Sequence, residues 1–318
     1  MMRIVVLDGH TLNPGDLSWS GLERFGELVV HERTSAGEVK ERAEGADVLL
    51  TNKTSLTAET IGSLKDLKYI GVLATGCNVV DLEAARARGI PVCNAAGYST
   101  PAVAQMVFAY ILHFMNRVAD HSGGVRNGKW QASEDFCYWD YPQVELASRT
   151  IGIVGLGDIG GRVARIARAF GMSVLATTRR PERPAPEGVQ WAGYEDLFPA
   201  SDIVSLHCPL TEETKGLIDF ERLAQMKKGA ILINTGRGPL VNEGDLAEAL
   251  NRGHLGGAGI DVLNEEPPRY ESPLFTARNC LITPHIAWAT RDSRQRLMKI
   301  TESNLEAFIK GETLKAVN

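Results

Sequence analysis

Cysteine is scarce and scattered in this 318-residue chain: Cys77, Cys93, Cys137, Cys208 and Cys280, with no C-x-x-C pair. An odd, dispersed set excludes a disulfide framework and offers no zinc-ligand spacing, so reduced thiols and no metal site are expected. Long apolar runs are missing too. No stretch approaches the ~20 residues of a membrane span. Met1-Met2-Arg3 leads straight into Ile4-Val5-Val6-Leu7, too short for the core of a signal peptide, so a strand in a cytoplasmic protein is expected there. Excess basic charge is also lacking. With 34 Lys and Arg against 39 Asp and Glu, the net charge is −5. That excludes partners held by a positive surface, such as nucleic acid or an anionic membrane.

What is present is an ordinary globular composition, 44% hydrophobic and 23% charged, in a chain long enough for two domains. Short apolar runs at 4–7, 47–51, 69–73 and 91–94 alternate with amphipathic stretches at 36–44 and 81–88. Such alternation predicts a parallel sheet with helices on its faces. A nearly all-apolar helix is expected over 101–116, with Pro101 in its first turn; its burial suggests a place between domains or at a subunit contact. Residues 128–142 then gather Trp130, Phe136, Tyr138, Trp139 and Tyr141 in a loop. They read equally well as a plug between domains and as a subunit interface or substrate-site wall.

From Thr150 the alternation restarts, with six strands expected at 151–154, 173–176, 203–206, 230–234, 257–260 and 280–283. This pattern predicts a doubly wound nucleotide-binding domain. A polar-faced helix over 291–310 is expected to return to the first domain. Gly155-x-Gly157-x-x-Gly160 follows the first of these strands and opens an amphipathic helix. In that context Gly155 permits the tight turn, Gly157 lets backbone approach a pyrophosphate, and Gly160 lets helix and strand pack closely. The next strand ends Thr177-Thr178-Arg179-Arg180 instead of in the carboxylate of an NAD site. A hydroxyl followed by two guanidiniums suits a 2′-phosphate and favours NADP. The alternative is two solvated arginines and use of either dinucleotide.

Three further strand ends carry functional groups: Asn234-Thr235-Gly236-Arg237-Gly238, Asp261 through Glu266-Pro267, and Thr283-Pro284-His285. Ligands bind at such ends in open α/β sheets. Together with His207-Cys208-Pro209-Leu210-Thr211, and in this order and spacing, these motifs resemble the D-isomer-specific 2-hydroxyacid dehydrogenase family over essentially the whole chain. The segments Asn94–Thr100, Asp135–Trp139 and His285–Trp288 look most like its glycerate dehydrogenase (hydroxypyruvate reductase) subgroup.

The resemblance implies two doubly wound domains, a Rossmann NAD(P)-binding domain (100–288) inserted into a flavodoxin-like substrate domain (1–99 and 289–318). It implies reduction of a small 2-keto acid, hydroxypyruvate or glyoxylate, with Arg237 holding the carboxylate and polarising the oxo group. His285 would be the proton donor and Glu266 its partner. Thr75, Gly76 and Cys77 would bind the substrate carboxylate through backbone N–H groups, alongside Arg237 and His285. Cofactor contacts would fall on Gly155, Gly157, Asp158, Ile159, Gly160, Thr178, Arg179 and Arg180. Others would come from His207, Cys208 and Pro209 at the adenosine end, Thr235, Gly236, Arg237 and His285, with Asp261 at the nicotinamide carboxamide.

A homodimer is expected. Gly236, Gln105, Pro101 and Thr178 depart from the family's common Ala, Glu, Ser and Asp. Only the last bears on function, through the choice of cofactor. Rival readings on the same scaffold are another 2-hydroxyacid, formate or phosphite oxidation, and a dinucleotide-sensing binding protein like the C-terminal-binding corepressors.

Overall fold

The computed structural model describes residues 1–180 and 182–318. The chain divides into two compact units, Met1–Ser99 with Trp288–Asn318, and Thr100–Ala287. Each has its own wholly parallel sheet.

In the first unit the strands are β1 (Arg3–Val6), β2 (Glu27–Val30), β3 (Val48–Thr51), β4 (Tyr69–Val72) and β5 (Val92–Asn94), in the order β2-β1-β3-β4-β5. β1, β3 and β4 are Val-, Ile- and Leu-rich and nearly fully buried, as strands covered on both faces must be. The helix Arg291–Lys310 packs on this sheet through Leu297, Met298 and Leu305, and Phe308 lies 4.9 Å from the ring of Tyr69. Two expectations need correction. β2 was not anticipated: at a sheet edge its residues are half-exposed, and Glu27-Leu28-Val29-Val30 carries little of a core strand's signal. The helix expected over 36–44 is a 3-10 turn, Ala36–Glu38, followed by one helical turn, Val39–Ala43. A reciprocal Ser35–Glu38 cap sets that start.

The second unit contains β6 (Thr150–Val154), β7 (Ser173–Thr177), β8 (Gln190–Trp191), β9 (Ile203–Leu206), β10 (Ile231–Asn234), β11 (Gly257–Ile260) and β12 (Cys280–Ile282). Their order is β12-β11-β10-β9-β6-β7-β8, so the winding reverses between β6 and β9. That is where a doubly wound sheet opens a crevice for a nucleotide. There are seven strands rather than six, because the two-residue β8 is too short to show any periodicity.

The helix Thr100–Asn116 is accounted for within this unit. It lies on β10 and β11 and on the helix Asp158–Ala169, and a Cβ on Gly259 would come within 2.5 Å of the Tyr110 ring. The sheet alone explains its apolar surface. In the aromatic loop Trp130, Phe136, Trp139 and Tyr141 are exposed. Among the described residues no helix is long and apolar enough to cross a membrane.

Candidate active site

The second unit brings most of the expected residues to the carboxyl ends of β6, β7, β9, β10, β11 and β12. Gly155 leaves β6 at φ 95°, a left-handed conformation that a side chain would strain. A Cβ there would also stand 2.7 Å from the backbone N of Cys208, so the loops after β6 and β9 touch across the crevice. Gly157 precedes the helix that starts at Asp158, and a Cβ on it would meet nothing within 4 Å. Open space in front of a helix N-terminus, over a backbone stripped of side chain, fits a dinucleotide pyrophosphate.

A second observation fits the same group. Thr235 Oγ1 is buried and has no hydrogen-bond partner among the described residues. An orphaned hydroxyl costs about 1–3 kcal/mol of desolvation unless something accepts or donates to it.

At the end of β7, the Thr177 hydroxyl accepts from Gly155 N (3.1 Å) and that of Thr178 from Arg180 N (3.0 Å). Arg179 and Arg180 are exposed, and among the described residues neither is paired with a carboxylate. At the end of β9, His207 Nε2 lies 2.8 Å from Ser205 Oγ, and burial lowers the imidazole to about 4, so the ring is neutral.

Three adjacent strand ends carry the reactive set. After β10, Asn234 Oδ1 accepts from Gly236 N (3.0 Å) and its Nδ2 donates to Arg237 O (2.8 Å), closing the turn that presents Arg237. The guanidinium donates only to its own loop, at Gly236 O, and has no carboxylate partner among the described residues. It is a free cation.

After β12, His285 has φ 53°, a strained value for a side-chain-bearing residue. It is held there by Asp261, at the end of β11. Asp261 is 1% exposed; its carboxylate accepts from Ile286 N and Ala287 N (each 2.9 Å) and from Thr283 Oγ1 (2.5 Å). Its carbonyl accepts from His285 N (2.8 Å). Burial pushes the Asp261 carboxyl up, against these hydrogen bonds. Asp261, expected at the nicotinamide carboxamide, also anchors the His285 loop from the end of β11. The result is that His285 Nδ1 lies 2.5 Å from Glu266 Oε2, while Glu266 Oε1 accepts from Leu263 N (3.1 Å). His285 Nε2 has no partner among the described residues and is the free face of the ring.

In the first unit, the loop 75–78 leaves β4. Asn94 Nδ2 donates to Thr75 O (2.7 Å), while the backbone N–H groups of residues 75–78 donate to no acceptor among the described residues. Four free N–H groups in succession suit a carboxylate. Burial pushes the Cys77 thiol up, away from the reactive thiolate form. Missed in the sequence was Asp8, after β1, whose carboxylate accepts from the backbone N of Asn52, Lys53 and Thr54 after β3 (2.5–2.8 Å). β1 and β3 flank the reversal of strand order in this sheet, and Asp8-Gly9 at a strand end was the available signal.

Comparison with known proteins agrees with this geometry. Residues 108–287 match the family described as D-isomer specific 2-hydroxyacid dehydrogenase, NAD binding domain. The chain is 45% identical to a hydroxypyruvate reductase of Blautia hydrogenotrophica over 100% of both chains. It is 41% identical to a glycerate dehydrogenase of Methylorubrum extorquens over 88% of each. Among solved structures, the TT0316 protein of Thermus thermophilus superposes with a TM-score of 0.86 at 38% identity over 99% of each chain. The chain belongs to the D-isomer-specific 2-hydroxyacid dehydrogenase family and is an NAD(P)-dependent oxidoreductase.

Proposed function

We propose that this enzyme reduces a small 2-keto acid, hydroxypyruvate or glyoxylate, to D-glycerate or glycolate, and catalyses the reverse oxidation. The observation that carries the reading is the His285 Nδ1–Glu266 Oε2 pair at 2.5 Å with Nε2 left free, beside a strand end that presents an unpaired Arg237. A carboxylate on one ring nitrogen fixes the ring's orientation and tautomer and leaves Nε2 as the proton-transferring atom. Arg237 takes the substrate carboxylate and draws electron density toward the 2-oxo oxygen, where negative charge develops. Thr75, Gly76 and Cys77 offer N–H donors suited to a carboxylate. The bound dinucleotide supplies hydride to C2. His285 then delivers the proton to the oxygen, and a 2-hydroxy acid leaves.

Gly155, Gly157, Asp158, Ile159 and Gly160 would hold the dinucleotide, with His207, Cys208 and Pro209 at the adenosine end, Thr235 and Gly236 further along, and Asp261 toward the nicotinamide. NADP is favoured, because Arg179 and Arg180 stand unpaired beside Thr178 where a 2′-phosphate would sit. The relatives named above as hydroxypyruvate reductase and glycerate dehydrogenase support the substrate class. A cytoplasmic homodimer completes the proposal, its contact built on the exposed aromatics of residues 130–141.

The test is a panel of 2-keto acids assayed in parallel with NADH and NADPH. Hydroxypyruvate and glyoxylate should give the highest kcat/KM, and NADPH should outperform NADH. A preference for bulky 2-keto acids overturns the substrate, and a strong NADH preference overturns the cofactor.

A further inference from the structure

Glu243 is a buried carboxylate that the chemistry above does not use. It is 5% exposed, and among the described residues no cation pairs with it. It is the first residue of the helix Glu243–Asn251, where an acidic side chain ordinarily faces water and the helix dipole. Here the capping is done by Asn242, whose Oδ1 accepts from Gly244 N (3.0 Å) and Asp245 N (3.2 Å). The Glu243 carboxylate turns instead to the loop that carries Glu266. Its Oε1 accepts from Asn264 N (2.9 Å) and from Tyr270 Oη (2.7 Å), and its Oε2 from Ser272 Oγ (2.5 Å). One donor lies two residues before Glu266, the others four and six after it. Between the end of β11 and the short helix Pro273–Phe275 this segment has no regular structure to fix it. Burying an unpaired carboxylate is costly unless its hydrogen bonds compensate, and all three found here serve the loop.

We propose that Glu243 is a positioning residue: by tying both arms of the loop to one buried carboxylate, it sets the place of Glu266 and hence the orientation of His285. The inference rests on the reading of Glu266 and His285 given above. Loss of the tie lets Glu266 drift from Nδ1. The pair then orients the proton donor poorly, while the dinucleotide cradle, built on other strand ends, is untouched.

The test compares pH profiles of hydroxypyruvate reduction for the wild type, Glu266→Gln, Glu243→Ala and Glu243→Gln, with NADH and NADPH affinity measured by fluorescence. Glu243→Ala should lower kcat roughly tenfold or more, the scale of a small misplacement in a catalytic group. It should also move the alkaline limb toward lower pH, in the direction of Glu266→Gln, with dinucleotide affinity kept. Glu243→Gln retains an acceptor for Asn264 N and Tyr270 Oη and should recover most of the rate. If Glu266→Gln moves the limb and Glu243→Ala leaves it in place, the positioning role is wrong and the pair stands. If Glu266→Gln itself leaves the limb unmoved, the pair is wrong and the positioning role falls with it. Should Glu243→Ala not fold, the double variant Tyr270→Phe with Ser272→Ala removes two of the three donors and decides by the same two readouts.

Discussion

At the scale of single residues, the proposed chemistry turns on which nitrogen is left free. His285 has Nδ1 occupied by Glu266 and Nε2 open, so His285→Ala should abolish turnover while dinucleotide affinity stays within about twofold. Appreciable turnover in that variant would remove it as proton donor. Arg237→Ala should raise KM and lower kcat together, by about two or three orders of magnitude in kcat/KM, since one guanidinium serves both a ground-state anion and a developing one. A change confined to KM would restrict it to binding. These three residues were legible in the sequence because each ends a strand in a distinctive short motif. Asp8, Asp261 and Glu243 were not legible in their structural roles. Each is a carboxylate defined by the backbone it receives from distant segments, separated by 44 residues for Asp8 and Asn52 and by 21 for Glu243 and Asn264. No local pattern encodes such a partner.

At the scale of elements, central strands were readable, whereas two edge strands, β2 and β8, were not. β3 and β10 are uniformly buried, and burial is what an apolar run reports. β2 and β8 are held by a single neighbour each, and β8 is only two residues long. The other edge of the first sheet is covered in a way equally silent in the sequence. The C-terminal residues run antiparallel along β5, with a Cys93–Ala316 bridge and Val317 N donating to Val92 O (2.8 Å). The Asn318 side chain accepts from Val92 N (2.9 Å) and donates to Ile90 O (2.8 Å). Such cover blunts an edge that would otherwise offer itself to another chain. Removing residues 315–318 should lower stability by about 2–3 kcal/mol, from three hydrogen bonds at roughly 1 kcal/mol each. Equilibrium urea unfolding measures it, and an unchanged midpoint would show the tail to be passive. The aromatic loop makes a separate prediction. Phe136→Ser with Trp139→Ser, 90% and 68% exposed in the wild type, should convert a dimer to monomers by sedimentation. A variant that stays dimeric places the contact elsewhere.

At the scale of the whole molecule, acid should act first on buried imidazoles and only then on paired carboxylates. In the second unit, burial holds His207 at about 4, below its ordinary 6.5. The unfolded chain therefore takes up a proton that the folded one refuses. No stability is lost above pH 6.5; the loss accumulates as pH falls toward 4, reaching about 3 kcal/mol at its limit. In the first unit burial lowers the His31 imidazole as well, and the lowered acids are carboxylates. The Arg294 guanidinium holds Asp16 below its usual value through two hydrogen bonds, and the Lys68 ammonium does the same for Asp47. Their contribution is intact above the unfolded carboxylate range and disappears only as pH falls through the lowered folded values. The first loss thus belongs to imidazoles, and His207 carries the large shift among them. The urea midpoint of the wild type should drop between about pH 7 and 4.5, and that of His207→Gln, which retains a partner for Ser205, should drop much less. Equal drops in the two proteins would mean that His207 is protonated in the folded enzyme, and that the loop after β9 meets the dinucleotide as a cation rather than as a neutral ring.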